Sequence, residues 1–391
     1  MIKYAIFKEK TKFINIKNFL KIKKYKKKKM LKPINLTLFF IIIILSNEKE
    51  LFEEYYQKAS KILLGMSTKE KIGQIFFARY NKKTALKEIS EKYPGGYILF
   101  ANNLKDHSLE GIKKELQLIQ KKSKIKLGLG VDEEGGKVNR VSLYFRENPF
   151  PSPQNLYNEG GIDKILLIEK EKRDLLRKIG FNFNLAPVAD ISNDKLDYIY
   201  ERTLGKNAKE TSNYIRREIE ESNKDNKFTQ CLKHFPGYGN NTDTHSGLAI
   251  DNRKYEIFEN NDFLPFISGI QSNVNMILIS HNIVNSIDNE FPASCSLKMV
   301  NLLKNTLNFS GLIVTDSMSM GAIAQWEKIN KVSAVVLSVK AGVNVIITSD
   351  FEKHYNEVLK AVLNKDIHIQ VINNAVLKII AWKLFVGIIK D

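Results

Sequence analysis

The chain has 391 residues, 43% of them hydrophobic and 27% charged, which is too apolar for a disordered chain and enough for one large core or two ordinary ones. Its formal charge of +18 suggests a nucleic-acid binder until it is located: residues 1–32 hold thirteen lysines against the single acid Glu9, or +12, leaving only +6 elsewhere. No basic stripe interleaved with aromatics follows that tail, so nucleic acid is not an expected partner, and two cysteines, Cys231 and Cys295, are too few to staple such a length and read as buried free thiols.

Lys26, Lys27, Lys28 and Lys29 precede Pro33 and an apolar run over 34–45, with Ser46 and Asn47 after it. The run is shorter than the ~20 apolar residues of a bilayer-spanning helix. It matches the hydrophobic stretch of a signal peptide, for which Met30 offers an alternative start. No Ala-x-Ala cleavage site follows it, and no cysteine for lipid attachment. Residues 1–46 are therefore set apart as a basic tail and a signal or anchor segment. They imply an exported, periplasmic or membrane-anchored protein, tethered through residues 33–46, with a cytoplasmic location as the alternative. Residues 47–391 form the folded body.

In that body, short apolar runs alternate with amphipathic stretches. Strands are predicted over 72–78, 97–101, 126–131, 183–189, 230–234, 275–280, 311–315 and 343–348. Most are continuous Ile/Val/Leu/Phe runs, as in parallel strands covered on both faces. Leu109, Ile112, Leu116 and Ile119 lie on one face of a helix. A second helix is predicted over 165–179, stopped by Gly180, a third over 332–341, stopped by Gly342, and an apolar one from Val371 that could close the fold. The segment 132–162, with Gly135, Gly136 and three prolines, reads as a long loop. Eight strand–helix repeats predict a single α/β domain, a (β/α)8 TIM-like barrel, with a doubly wound sheet as the alternative.

Active sites of such barrels form at the carboxyl ends of the strands. The third predicted strand ends at Asp132, the fourth at Asp190, the fifth at Lys233-His234, the sixth at His281, the seventh at Asp316 and the eighth at Ser349-Asp350. An Asp after a strand commonly caps the next helix, and that reading is preferred for Asp190 and Asp350. His281 reads equally as a hydrogen-bonded structural histidine and as part of the pocket. At Asp316, the following Ser317 is available to cap, which frees the carboxylate to face the mouth. Lys233-His234-Phe235-Pro236-Gly237 then leads through a polar loop to Asp243-Thr244-His245, an acid–imidazole pair that alone would read as an Asx-turn with a solvated histidine.

Taken together and in order, six motifs resemble glycoside hydrolase family 3, in its single-domain β-N-acetylhexosaminidase branch. They are the run from Asp132 to Arg140, Asn184 to Asp190, Glu201-Arg202-Thr203-Leu204-Gly205, Lys233 to Gly237, Asp243-Thr244-His245, and Thr315 to Met320. The resemblance covers about residues 60–350. It implies a retaining exo-glycosidase that acts on carbohydrate, with peptidoglycan fragments as the suggested source and no cofactor or metal. Asp316 corresponds to the nucleophile, His245 to the acid/base and Asp243 to its orienting partner. Asp132, Arg140, Arg202, Lys233 and His234 correspond to positions that hold the terminal sugar. Tyr238, Asn240, Lys137 and the Arg-Thr-Leu-Gly at Arg202 depart from the family's usual residues and bear on substrate preference.

These roles agree with the chemistry of the residue types. A nucleophilic carboxylate has to be ionised, and a cation such as Lys233 nearby favours that. A group that first donates and then accepts a proton works best with a pKa near the working pH, which a histidine at ~6.5 provides. A β-glucosidase of the same family is the alternative, although such enzymes usually carry a second domain that supplies the acid/base. A phosphorylase and a sugar-binding barrel without catalysis also fit the pattern. A metal-dependent amidohydrolase barrel is suggested by His234, His281 and Asp350, but the first predicted strand lacks that class's His-x-His. The sequence is silent on oligomeric state.

Overall fold

The computed structural model describes residues 50–225 and 227–390. The expected tail and signal or anchor segment lies outside those residues. Among the described residues, no helix is long and apolar enough to cross a membrane.

Eight parallel strands form one sheet: β1 (Phe76–Arg79), β2 (Gly96–Leu99), β3 (Gly128–Val131), β4 (Phe183–Asn184), β5 (Thr229–Phe235), β7 (Met276–Ile279), β9 (Leu312–Thr315) and β10 (Ile346–Thr348). Their order is β10-β1-β2-β3-β4-β5-β7-β9, and a parallel bridge between Val314 and Val345 closes the ring from β9 to the start of β10. This is the predicted (β/α)8 barrel. Two short strands outside it, β6 (Ile250–Asp251) and β8 (Ile283–Val284), pair with each other in the loops after β5 and β7.

Physical reasons account for the differences from the expected elements. The first strand starts at Phe76, not Ile72, because Ser67 and Glu70 form a capping box that commits Thr68–Gln74 to a helix. The fourth stops at Asn184: Pro187 has no ladder N–H, and the pairing continues beyond it as separate bonds, with a bridge from Val188 to Lys233. The long loop is shorter than expected, since Ser152 caps a helix that runs Pro153–Ile179 and is interrupted only at Gly160 and Gly161.

The C-terminal helix, Ile369–Phe385, closes the amino-terminal end of the barrel. Its Trp382 meets Phe77 and Phe183 with ring centroids 6.0 and 5.9 Å away, and its indole N–H donates to Thr229 Oγ1 at 2.8 Å. A barrel filled from below in this way leaves its opposite end free for chemistry. Beside Trp382, Lys383 is fully buried, and its ammonium reaches only Gln74 Oε1, at 2.8 Å. Burial with no carboxylate nearby pushes its pKa down to about 7. Between about pH 7 and the ordinary lysine value, the unfolded chain binds a proton that the folded one lacks, so this residue makes stability rise with pH across that window and is most costly below it. Lys383→Met is therefore expected to stabilise the protein by about 1–4 kcal/mol at pH 6. The gain should shrink steadily as the pH is raised from 7 to 10, as read from denaturant midpoints of both proteins.

Candidate active site

At the carboxyl ends of the strands, side chains from β3, β4 and β5 build a charged floor. A regular strand would send Lys233 and His234 to opposite faces. The pairing of β5 with β7 shifts register between Leu232 and Phe235, and such an irregularity re-aims side chains. Both residues reach the floor. Lys233 Nζ lies 2.8 Å from Asp132 Oδ1 and 2.6 Å from Glu134 Oε1. Glu134 also receives a forked pair from Arg202, Nε to Oε2 at 3.0 Å and Nη2 to Oε1 at 2.8 Å. Burial alone would raise the Glu134 pKa, but Arg202 and Lys233 together hold it well below the usual carboxylate range. For Lys233, burial would lower the value, yet Asp132 and Glu134 raise it. Two acids and two cations thus share one largely buried cluster.

His234 is fixed from both sides. Its Nδ1 is 2.7 Å from Asp190 Oδ2 and its Nε2 3.1 Å from Arg202 Nη2. A guanidinium can only donate, so Nε2 accepts and Nδ1 carries the proton to Asp190. Asp190 also accepts the amides of His234 and Tyr238, at 3.1 and 2.7 Å. It is therefore not the helix cap expected from its place after a strand. Gly237, at φ 125°, makes the turn that follows.

Glu133 has a different task. Its carboxylate is fully buried and accepts the amides of Arg140, Val141 and Ser142 at 2.7, 2.6 and 3.1 Å, together with the Ser142 hydroxyl. It folds the loop after β3. Arg140 sits on that loop, partly buried, with its Nε buried and without a hydrogen-bond partner. Among the expected sugar-binding residues, then, Asp132, Arg202, Lys233 and His234 share one network, and Arg140 makes no bond to it.

Asp316 ends β9, half-buried, with Oδ1 accepting the Ser317 amide at 2.7 Å. Burial would raise its pKa. It is nevertheless lowered, by His281 and His234 first, then by the Ser317 amide and by His245. Ser317 does not cap the next helix, Gly321–Asn330, whose first turn has no side-chain cap. Its carbonyl instead accepts from His281 Nε2 at 2.9 Å, while Ser294 Oγ stands 2.8 Å from Nδ1. His281 is a buried brace beneath Asp316, and burial lowers its own pKa. Asp350 stands at a helix start as expected, yet its side chain makes no cap hydrogen bond.

Across from these lies the loop after β5. His245 Nδ1 is 2.7 Å from Asp243 Oδ1, and the same oxygen accepts the His245 amide at 2.9 Å. The Asx-turn and the acid–imidazole pair are the same object. Burial pushes the Asp243 pKa up, but the amide and ring of His245 bring it below the ordinary value, aided by the Tyr198 hydroxyl. Both side chains face solvent, 63% exposed for His245 and 31% for Asp243.

Among the described residues, no group of three or more His, Cys, Asp or Glu side chains is placed to hold a metal. His234 and His281 already spend both ring nitrogens on protein partners. The sequence assigned no role to Glu134 or Tyr198, gave Asp190 the role of a helix cap, and marked Tyr238 only as a departure from the family's usual residues.

The barrel thus carries a strand-end cluster of acids and cations and, on the loop after β5, an acid–imidazole pair. The chain belongs to glycosyl hydrolase family 3: residues 67–382 match the family's N-terminal domain, and the protein is a glycoside hydrolase. It is 27% identical over 285 residues to a β-hexosaminidase of Hydrogenovibrio crunogenus, which covers 68% of this chain and 75% of that one. It is 30% identical over 278 residues to an uncharacterized secreted glycosyl hydrolase of Arthroderma benhamiae, across 66% of this chain and 74% of the other. A family 3 β-N-acetylglucosaminidase of a Paenibacillus species superposes with a TM-score of 0.77 at 24% identity, over 83% of this chain and 63% of that one, which shows a shared fold. Membership of this family overturns the amidohydrolase alternative, in agreement with the occupied nitrogens of His234 and His281.

Proposed function

We propose that the protein is a retaining exo-β-glycosidase that removes terminal β-linked N-acetylglucosamine from glycans or peptidoglycan fragments. The observation that carries this reading is geometric: His245 is paired through Nδ1 with Asp243 Oδ1 at 2.7 Å, and its carbonyl accepts the Gly321 amide at 3.2 Å, at the start of the helix that follows the strand-end carboxylate Asp316. In the first step, the Asp316 carboxylate attacks the anomeric carbon while His245 gives its proton to the departing glycosidic oxygen. The products are a covalent glycosyl-enzyme and the free alcohol. In the second step, neutral His245 takes a proton from water, whose oxygen attacks the same carbon from the other face and releases Asp316. Two inversions give net retention. Asp243 orients the ring and stabilises the imidazolium, as the orienting carboxylate of a catalytic triad does. Asp132, with one oxygen on Lys233, and the floor cations Lys233 and Arg202 supply acceptors and donors for the sugar's hydroxyl and acetamido groups, with Arg140 and His234 in the same binding set.

A hexosamine as the released sugar is supported by the name of the Hydrogenovibrio relative, a β-hexosaminidase, and export by that of the secreted relative. A β-glucosidase is the competing reading. It is tested by phenol release from phenyl β-N-acetylglucosaminide and phenyl β-glucoside: the first is expected to react faster by at least about tenfold in kcat/KM, on the scale of one hydrogen-bonded substituent, and the reverse order would favour the glucosidase. With the same N-acetylglucosaminide, His245→Ala should lower kcat/KM by about 10²–10⁴-fold, the usual contribution of a general acid. Its thermal unfolding should stay unchanged, because the side chain is exposed.

A further inference from the structure

The acid–imidazole pair sits on a loop, and a loop is a poor mount for groups that have to be aimed. Misplacement by about 1 Å can lower a rate about 10²-fold. Asp243 and His245 face solvent, yet Thr244 between them is fully buried. It is the anchor of the segment, and it is gripped from two sides.

From within the barrel mouth, the Tyr238 hydroxyl accepts the Thr244 amide at 2.9 Å and lies 2.8 Å from Thr244 Oγ1. Tyr238 is itself buried, its amide tied to Asp190 and its ring set edge-on to His234 at 5.6 Å. The floor and the loop therefore share Asp190 and Tyr238 as common supports. From the other side, the amides of Gly321 and Ala322 donate to the carbonyls of His245 and Thr244, at 3.2 and 3.0 Å. These amides open the helix that follows Asp316. A side chain at 321 has no room, since a Cβ there would stand 2.4 Å from the His245 carbonyl oxygen. The Tyr198 ring lies tilted against Tyr238, with centroids 5.7 Å apart, and brings its hydroxyl beside Asp243.

We infer that Tyr238, which holds Thr244, and Gly321, whose amide and missing side chain seat the His245 backbone, are positioning residues that clamp the Thr244–His245 segment and so aim His245 at the glycosidic oxygen over Asp316. This rests on the glycosidase reading above. Tyr238→Phe deletes both hydroxyl bonds and leaves the Thr244 amide without a partner. Gly321→Ala pushes the loop outward from the opposite side while favouring the helix it begins.

The test compares kcat/KM, which reports formation of the glycosyl-enzyme, for phenyl and dinitrophenyl β-N-acetylglucosaminides. The phenyl leaving group needs the proton of His245, whereas the dinitrophenolate leaves without it. For Tyr238→Phe, the phenyl rate is expected to fall about 10–100-fold, and the ratio of the two rates to shift by at least about tenfold toward the dinitrophenyl substrate. Gly321→Ala should shift the ratio in the same direction, and it decides the matter if Tyr238→Phe does not fold. Equal losses on both substrates, or no loss on either, would overturn the clamp while the wild-type chain remains a glycosidase. A wild-type chain inert toward both would overturn the glycosidase reading, and the clamp with it.

Discussion

Asp316→Ala is expected to lose turnover by on the order of 10⁴-fold or more with every leaving group, as removal of a nucleophile does in other covalent hydrolases. Three features of its surroundings make the residue suited to attack. The Ser317 amide holds one carboxylate oxygen in place. His281 fixes the turn through the Ser317 carbonyl, so the side chain starts from a rigid base. Burial strips water from the carboxylate, while the neighbouring imidazoles keep it ionised below the usual carboxylate range. Ionisation of this group therefore does not limit activity at neutral pH. The variant should fold, because among the described residues the carboxylate's one hydrogen-bond partner is the half-buried Ser317 amide. Azide provides the sharper check. With Asp316 shortened to alanine, azide can enter the vacated face and displace the leaving group in one inversion, which gives an α-glycosyl azide from a β-substrate. Formation of that product, followed by NMR, ties the residue to the anomeric carbon. Wild-type rates in Asp316→Ala would sink the assignment outright.

The barrel was legible in the sequence because its strands are buried on both faces and so read as unbroken apolar runs, Met276–Ile279 and Leu312–Thr315 among them. Where local chemistry overrode hydrophobicity, the reading slipped. The Ser67–Glu70 capping box turned the apolar start of the first predicted strand into helix, and Pro187 cut the fourth strand short. The site was legible only as a set of residues. The family resemblance grouped Asp132, Arg140, Arg202, Lys233 and His234, of which all but Arg140 share one network, but nothing in the sequence showed that Glu134 would bind both cations. Asp190 illustrates the limit. An acid after a strand followed a sound local rule, whereas its partner His234 is 44 positions away in sequence, and only the closed barrel brings them together. Thr244 is similar: a polar residue between two polar residues gives no sign that it alone is buried.

Glu134→Ala should damage stability as much as Asp316→Ala damages catalysis. Glu134 is the one acid that touches both floor cations, and it is 3% exposed. Its removal leaves Arg202 without a carboxylate partner and Lys233 with Asp132 alone, in a site from which water is largely excluded. Breaking a buried ion cluster in this way costs about 3–5 kcal/mol, because the remaining charges are not hydrated in exchange. Glu134→Gln is the finer probe, since an amide keeps the shape but turns a donor toward Lys233 or Arg202. The pH dependence separates lost charge from lost packing. The folded-state pKa of Glu134 lies below its unfolded value, so the unfolded chain takes up the proton first as the pH falls. The stabilisation from this group is thus complete above the ordinary carboxylate value of 4.5 and disappears as the pH falls below that toward the depressed folded value. Denaturant midpoints of wild-type and Glu134→Gln should therefore differ most at neutral pH and converge in acid. Equal midpoints at pH 7 would show that Arg202 and Lys233 are satisfied without the acid, and that the floor is not the coupled ion cluster described.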